Sequence, residues 1–223
     1  MAKKCAFPVW VLSCTLALLP WSAVLAEDQP QPEPKQKPDA AAPKAAEEPP
    51  EEPDPPPPDI FAAAKSGNLE AVKKFLQENP ALLNAKTRQS DTPLHWAASC
   101  GHVEVVRFLL SKLPDVNAKN ITGSTPLHMA CRISNKAIVE LLLASKADVN
   151  ARTEGDEEDD ETPLHIAVRK HNTEIAELLL KNKADVNAKL RSGDRPMDVA
   201  KHIGRLDMRR LLRKYGATDM EEE

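Results

Sequence analysis

The residues most able to do chemistry are three histidines that return with the same neighbours: Thr92-Pro93-Leu94-His95, Thr125-Pro126-Leu127-His128 and Thr162-Pro163-Leu164-His165. One zinc ion would need their nitrogens within about 2.0–2.1 Å of a single point. Spaced 33 and 37 residues apart, they belong to successive helices, which pack roughly 8–10 Å from one another. They cannot share an ion, and His102, His171 and His202 show no ligand spacing either. Seven carboxylates in the eight positions Glu154–Glu161 raise the question of Ca²⁺, which takes about six to eight oxygens. The alternating acidic pattern of a calcium loop is missing, so a solvated loop is the expectation. Downstream of residue 26 the cysteines are Cys100 and Cys131. On adjacent packed helices their Cα atoms would lie near or beyond the roughly 7 Å limit for a disulfide. Two thiols are expected, Cys131 in the core and Cys100 partly exposed; Cys100 has no evident acidifying neighbour that would make it a redox centre. There is no glycine-rich phosphate loop, nucleophile elbow or Cys/His cluster. Neither catalysis nor a cofactor or metal is expected.

The elements that position these residues repeat with them. A degenerate fourth phrase, Arg195-Pro196-Met197-Asp198, stands 33 residues after Thr162. In the three full phrases threonine offers an N-cap hydroxyl, and in all four proline takes the first helical position, where its missing N–H costs nothing. A short helix follows, and a second apolar-periodic run, Val103, Val105, Val106, Phe108, Leu109 and Leu110, supplies its partner. A second phrase keeps register with the first: Asp115-Val116-Asn117-Ala118, Asp148-Val149-Asn150-Ala151 and Asp185-Val186-Asn187-Ala188. Period 33 with T-P-L-H-x-A is the ankyrin signature, and the chain from Ile60 to about Ala217 resembles the ankyrin-repeat family. That resemblance implies an all-α solenoid of about five stacked helix-turn-helix units with β-turn fingers, each stabilised by its neighbours.

The organisation follows. Residues 1–26 read as an export signal, with Lys3 and Lys4 ahead of an apolar run and cleavage after Ala26. An uncleaved anchor is the alternative, since Cys5 to Ala26 is apolar enough to span a bilayer. A lipoprotein reading of Cys14 is opposed by the apolar Thr15–Leu19 behind it. Residues 27–59 hold 12 prolines, ten acidic residues and three lysines, a composition that cannot form a core; extended, they reach roughly 100 Å at about 3.1 Å per residue. The repeats are 60–86 (an N-terminal cap without T-P-L-H), 87–119, 120–152, 153–189 (with the acidic insertion) and 190–217 (a C-terminal cap dressed with Lys201, Arg205, Arg209, Arg210, Arg213 and Lys214). Residues 218–223 form an acidic tail. Ile60 to Glu223 carries +1; without the seven acids of the insertion and the four of the tail it carries +12. A basic body with one acidic tip results.

Departures from the repeat pattern mark local cost. Glycine stands at the helix–helix turn at Gly67, Gly101 and Gly204, but Ser134 and His171 occupy it in the third and fourth repeats, where a left-handed backbone is required. Trp96 shares its register with Met129, Ile166 and Val199, so core packing is expected of it.

Ankyrin repeats recognise proteins, and the resemblance implies a partner-facing, concave surface. Its helix-end residues are Ser99 and Cys100, Arg132 and Ile133, Arg169 and Lys170, and His202 and Ile203. Its finger residues are Arg88, Gln89, Asp91, Ile121, Thr122, Ser124, Arg152, Arg191, Ser192 and Asp194. The expected function is that of a non-catalytic, monomeric adaptor in the periplasm or outside the cell, with a protein as partner. A structural protein tethered to the membrane by the uncleaved segment, and a polyanion binder acting through the basic fifth repeat, are the alternatives. Export disfavours nucleic acid as the anion.

Overall fold

The computed structural model describes residues 59–154 and 160–218; the export segment, almost all of the Pro-rich linker, the middle of the acidic insertion and the end of the tail lie outside the described residues. Ten helices follow in pairs: α1 (Ile60–Ser66) with α2 (Leu69–Glu78), α3 (Pro93–Ser99) with α4 (Val103–Ser111), α5 (Pro126–Arg132) with α6 (Lys136–Ala144), α7 (Pro163–Arg169) with α8 (Thr173–Lys181), and α9 (Pro196–His202) with α10 (Leu206–Lys214). A 3-10 turn, Pro80–Asn84, closes the first pair. First helices pack in the row α1, α3, α5, α7, α9, and second helices in the row α2, α4, α6, α8, α10. Among the described residues no helix is long and apolar enough to cross a membrane.

Stacking follows from identical registers. Leu94, Leu127, Leu164 and Met197 form one fully buried column; Val105, Ile138, Ile175 and Met208 form a second, and Leu109, Leu142, Leu179 and Leu212 a third. Burying one such side chain contributes about 1.5–3 kcal/mol, but only with both neighbours in place. Arg209 stands in the column of Val106, Val139 and Ala176, half-buried with its Nε lacking a hydrogen-bond partner. Part of the expected outer dress of the last repeat is thus sunk into the stack.

Left-handed residues shape the turns, three in each of the second to fifth repeats and Gly67 in the first. At the helix–helix turn φ is +75° at Gly67, +79° at Gly101, +59° at Ser134, +58° at His171 and +74° at Gly204. The backbone therefore keeps its geometry where glycine is missing, at a cost on the order of 1 kcal/mol. After the second helices the left-handed residues are Leu113, Lys146, Lys183 and Gly216; in the fingers they are Ser90, Gly123, Asp160 and Gly193. Asn68, Asn135 and Asn172 cap second helices by accepting the N–H of Ala71, Ile138 and Ile175. His102 departs from this pattern, donating from Nε2 to the Lys65 carbonyl at 2.8 Å.

Candidate partner-binding face

The histidines position the face by holding first helices to fingers. Thr92 donates its N–H (3.1 Å) and its hydroxyl (2.9 Å) to Nδ1 of His95, while its oxygen accepts the His95 N–H at 3.4 Å. The other ring nitrogen, Nε2, meets the Ser124 carbonyl of the next finger at 3.0 Å. A carbonyl can only accept, so Nε2 carries the proton and Nδ1 is the acceptor. His128 repeats the arrangement, with Thr125 at 2.9 Å and the Glu161 carbonyl at 3.1 Å. His165 keeps the Thr162 hydroxyl at 2.9 Å, while its buried Nε2, on the side of the Asp194 backbone, has no partner within hydrogen-bond distance among the described residues. In the last repeat Asp198 takes over the capping, accepting the Arg195 N–H at 3.1 Å and its Nε at 3.0 Å, while Arg195 Nη1 donates to Thr218 at 2.7 Å. What reads in sequence as degeneration is a substitute clamp. With both ring nitrogens of His95 and His128 in these bonds, the histidines act as structural links.

Protonation of the clamps is opposed by their surroundings. Burial lowers the pKa of His95 below 6.5. Burial, aided by the nearby charges of Arg152 and Arg169, lowers His165 to about 4. Desolvation alone would raise Asp198, but its hydrogen bonds to Arg195 and that residue's charge outweigh it and leave the acid below its ordinary value.

A second set of bonds fixes the fingers. Each is closed at its base by one backbone hydrogen bond: Thr87 N–H to Asp91 O, Asn120 to Ser124, Thr153 to Glu161, and Leu190 to Asp194, at 2.8–3.1 Å. Neighbouring fingers are stitched by Ile121 N–H to Gln89 O and Glu154 N–H to Thr122 O. Asn84, Asn117, Asn150 and Asn187 each accept the backbone N–H of a residue in the following repeat: Asp115, Asp148, Asp185 and Thr218.

On this scaffold Arg88, Gln89, Cys100, Lys170, Ser192 and His202 are exposed, and Ile121 and Ile133 expose 62% and 39% of their surface. Arg169 and Arg191 are exposed and ion-paired, Arg169 with Glu161 and Arg191 with Asp160 at 3.4 Å. Arg132, Asp194 and Ile203 are half-buried. Asp91 accepts from Asn120 Nδ2 at 2.9 Å, Ser99 donates to the Trp96 carbonyl at 3.0 Å, and Thr122 donates to Asn120 Oδ1 at 2.9 Å. Two candidates are corrected. Ser124 is fully buried, because the fourth finger lies directly over the third: a Cβ on Gly123 would meet the Glu154 nitrogen at 2.3 Å. Its carbonyl receives His95 and its hydroxyl oxygen accepts from Thr122 Oγ1 at 3.1 Å, so its side chain is spent within the finger. Arg152 is half-buried and donates Nη2 to the Lys189 carbonyl at 2.9 Å, which makes it a strut to the next repeat.

Two further residues add to the face. Trp96 packs against the core, as expected, but is half-buried, and it lines two clefts, one of about 400 Å³ with Phe61, Lys65 and Thr87, and one of about 200 Å³ with Asp91, Ser99, Asn120 and Met129. Lys65 Nζ sits 5.1 Å above its ring. Glu161, read as part of a solvated tip, is 5% exposed. Its register with Asp91 and Ser124 at the finger base was the available signal. Cys131 is buried and Cys100 exposed, and both are free thiols; burial pushes the Cys131 thiol up, far from thiolate formation.

Residues 60–153 match a family model described as Ankyrin repeats (3 copies), and residues 159–190 match Ankyrin repeat. The chain belongs to the ankyrin-repeat family. Over 47 residues it is 45% identical to 26S proteasome non-ATPase regulatory subunit 10 of Homo sapiens, covering 21% of each chain. The Mus musculus protein of that name is 43% identical over 47 residues, covering 21% of this chain and 20% of its own. A 56-residue stretch is 36% identical to alpha-latrocrustotoxin-Lt1a of Latrodectus tredecimguttatus, covering 25% of this chain and 4% of the toxin. The chain thus spans about a fifth or less of the curated relatives it matches. Ankyrin repeats are in general protein–protein interaction modules, and this ankyrin-repeat face is the surface on which that role would fall.

Proposed function

We propose that the chain is an exported adaptor of a bacterial cell envelope, periplasmic or secreted, that binds a protein on the finger and first-helix face and performs no chemistry of its own. One observation carries the binding role: the third repeat presents Ile121 and Ile133 with 62% and 39% of their surface in water, on a scaffold held by buried clamps. Exposed cations stand in the neighbouring repeats: Arg88, next to the Gln89 whose carbonyl holds Ile121, and Lys170 in the register of Ile133. An apolar centre rimmed by charge on a preorganised surface is what a specific interface requires. Export rests on the composition of Met1–Ala26, and the Pro-rich linker behind it would serve as a spacer.

Photo-crosslinking from position 133 in the native host tests the adaptor role, with Ile133→Asp as control. The expected result is a discrete protein adduct, and loss of partner capture in the Asp variant at an unchanged melting temperature. Equal loss of both would assign Ile133 to packing and remove the reading. A mature N-terminus at Glu27 in a soluble fraction supports export; retention of residues 1–26 in the membrane would replace the adaptor by a tethered structural protein.

A further inference from the structure

The face has a charge pattern that the adaptor reading leaves unused. In the register of Ser99, the next three first helices carry Arg132, Arg169 and His202; in the register of Cys100 they carry Ile133, Lys170 and Ile203. The structure shows how such cations treat carboxylates. Glu161, its side chain 6% exposed, is paired with Arg169; Asp160 pairs with Arg191 at 3.4 Å, and Glu154 with Lys119. The described ends of the acidic insertion therefore contact cations of three different repeats. Lys170, beside Arg169, is exposed and makes no ion pair among the described residues.

We propose that this face docks an acidic segment of a partner protein, with an apolar anchor over Ile133 and carboxylates over Arg169 and Lys170, and that Glu161 on Arg169 and Asp160 on Arg191 are the chain's own competitors for the cations of this face. The inference rests on the adaptor reading and specifies its partner. Arg169 is 53% exposed and open to an incoming carboxylate, whereas Glu161, 6% exposed, would be left buried without its cation, so their pair opposes any ligand that draws Arg169 away. Successive first helices lie roughly 10 Å apart, and an extended chain advances about 3.3 Å per residue. A segment running from Ile133 towards α7 therefore places its first carboxylate about three residues after its apolar anchor. The competing acids keep Arg169 and Arg191 engaged until a ligand with that spacing arrives, which favours acidic segments with an anchor over merely acidic ones.

Panning a random 12-residue peptide display library on the full-length chain tests this. Enriched peptides should be acidic, with Asp or Glu about three residues after a large apolar residue. A labelled enriched peptide should bind Asp160→Asn/Glu161→Gln about three- to tenfold more tightly. It should bind Lys170→Ala more weakly, and lose affinity as salt rises. The Glu161 backbone carries the His128 and Thr153 bonds, so the side-chain change leaves the clamp in place, and Asp160→Asn alone serves as a second variant. Neutral or basic enriched peptides that remain sensitive to Ile133→Asp overturn this inference and leave the adaptor reading standing. Enriched peptides indifferent to Ile133→Asp overturn both, as does a library without enrichment. Unchanged affinity in both competitor variants removes the role given to Asp160 and Glu161.

Discussion

Acidification should loosen the stack through the buried imidazole of His165. In the folded chain its pKa is about 4 against 6.5 when unfolded. Because the folded value is depressed, the unfolded chain binds the proton first as pH falls. The stability that goes with a neutral His165 is present above about pH 6.5 and is lost progressively towards pH 4. At pH 5 the linkage amounts to about 2 kcal/mol, and it reaches about 3 kcal/mol at pH 4. His95 is displaced in the same direction by burial and adds to the loss.

The comparison that isolates His165 is with His165→Asn. Asp198, 33 positions on, already shows a short side chain accepting the N-cap N–H in this register, so asparagine keeps an acceptor there and cannot titrate. At pH 7.5 the variant should be less stable by about 1 kcal/mol, the worth of the lost Thr162 hydroxyl bond. Urea unfolding followed by circular dichroism at pH 7.5 and 5.0 gives the double difference. The wild type should lose about 2 kcal/mol more than the variant over that interval. Equal losses would mean that the imidazole is protonated in the folded stack without penalty, and the clamp assignment would fall.

Other perturbations test the scaffold. Ser134→Gly should stabilise the chain by about 1 kcal/mol, since φ of +59° at Ser134 favours glycine; no gain in thermal midpoint would show that the turn is unstrained. Gly67→Ala should destabilise it by more than 1 kcal/mol, because a Cβ there would stand 2.5 Å from His102 Nδ1 on a left-handed backbone. Truncating Leu142 to alanine in its fully buried column should cost about 2–5 kcal/mol by urea unfolding. Iodoacetamide should label Cys100 rapidly in the folded chain and Cys131 only after denaturation, as intact-mass spectrometry would show.

Register was the legible part of this fold, because one phrase repeated four times fixes which side of each helix faces its neighbours. The helices, the buried columns and the left-handed Ser134 and His171 all follow from that. Finger packing was less legible. Asp91 and Ser124 share a register, yet one is half-buried and the other fully buried, since coverage of each finger depends on the backbone path of the next. Arg152 looked like a surface cation because its target is a carbonyl, that of Lys189, 37 residues away, and carbonyl positions leave no mark in composition. Trp96 packs against the core, but only in part. Its register faces the fingers, where an indole is too large to be covered and becomes the wall between two clefts.

The acidic insertion shows how the stack tolerates a break in period without losing its surface. Three residues separate the base-closing partners in the second, third and fifth fingers, and seven in the fourth, yet the closing bond from Thr153 to Glu161 is a normal 3.1 Å. Glu161 then presents its carbonyl to His128 where Ser124 presents one to His95. The closing bond and the clamp thus keep their places, and α7 keeps the register of α5. Arg169 and Lys170 consequently continue the row begun by Arg132 and Ile133, and any ligand long enough to cross two repeats meets the cations at the spacing that the uninterrupted stack would give. Had the additions fallen between Glu161 and Pro163, the clamp from His128 would have been lost, and with it the alignment on which a shared binding face depends.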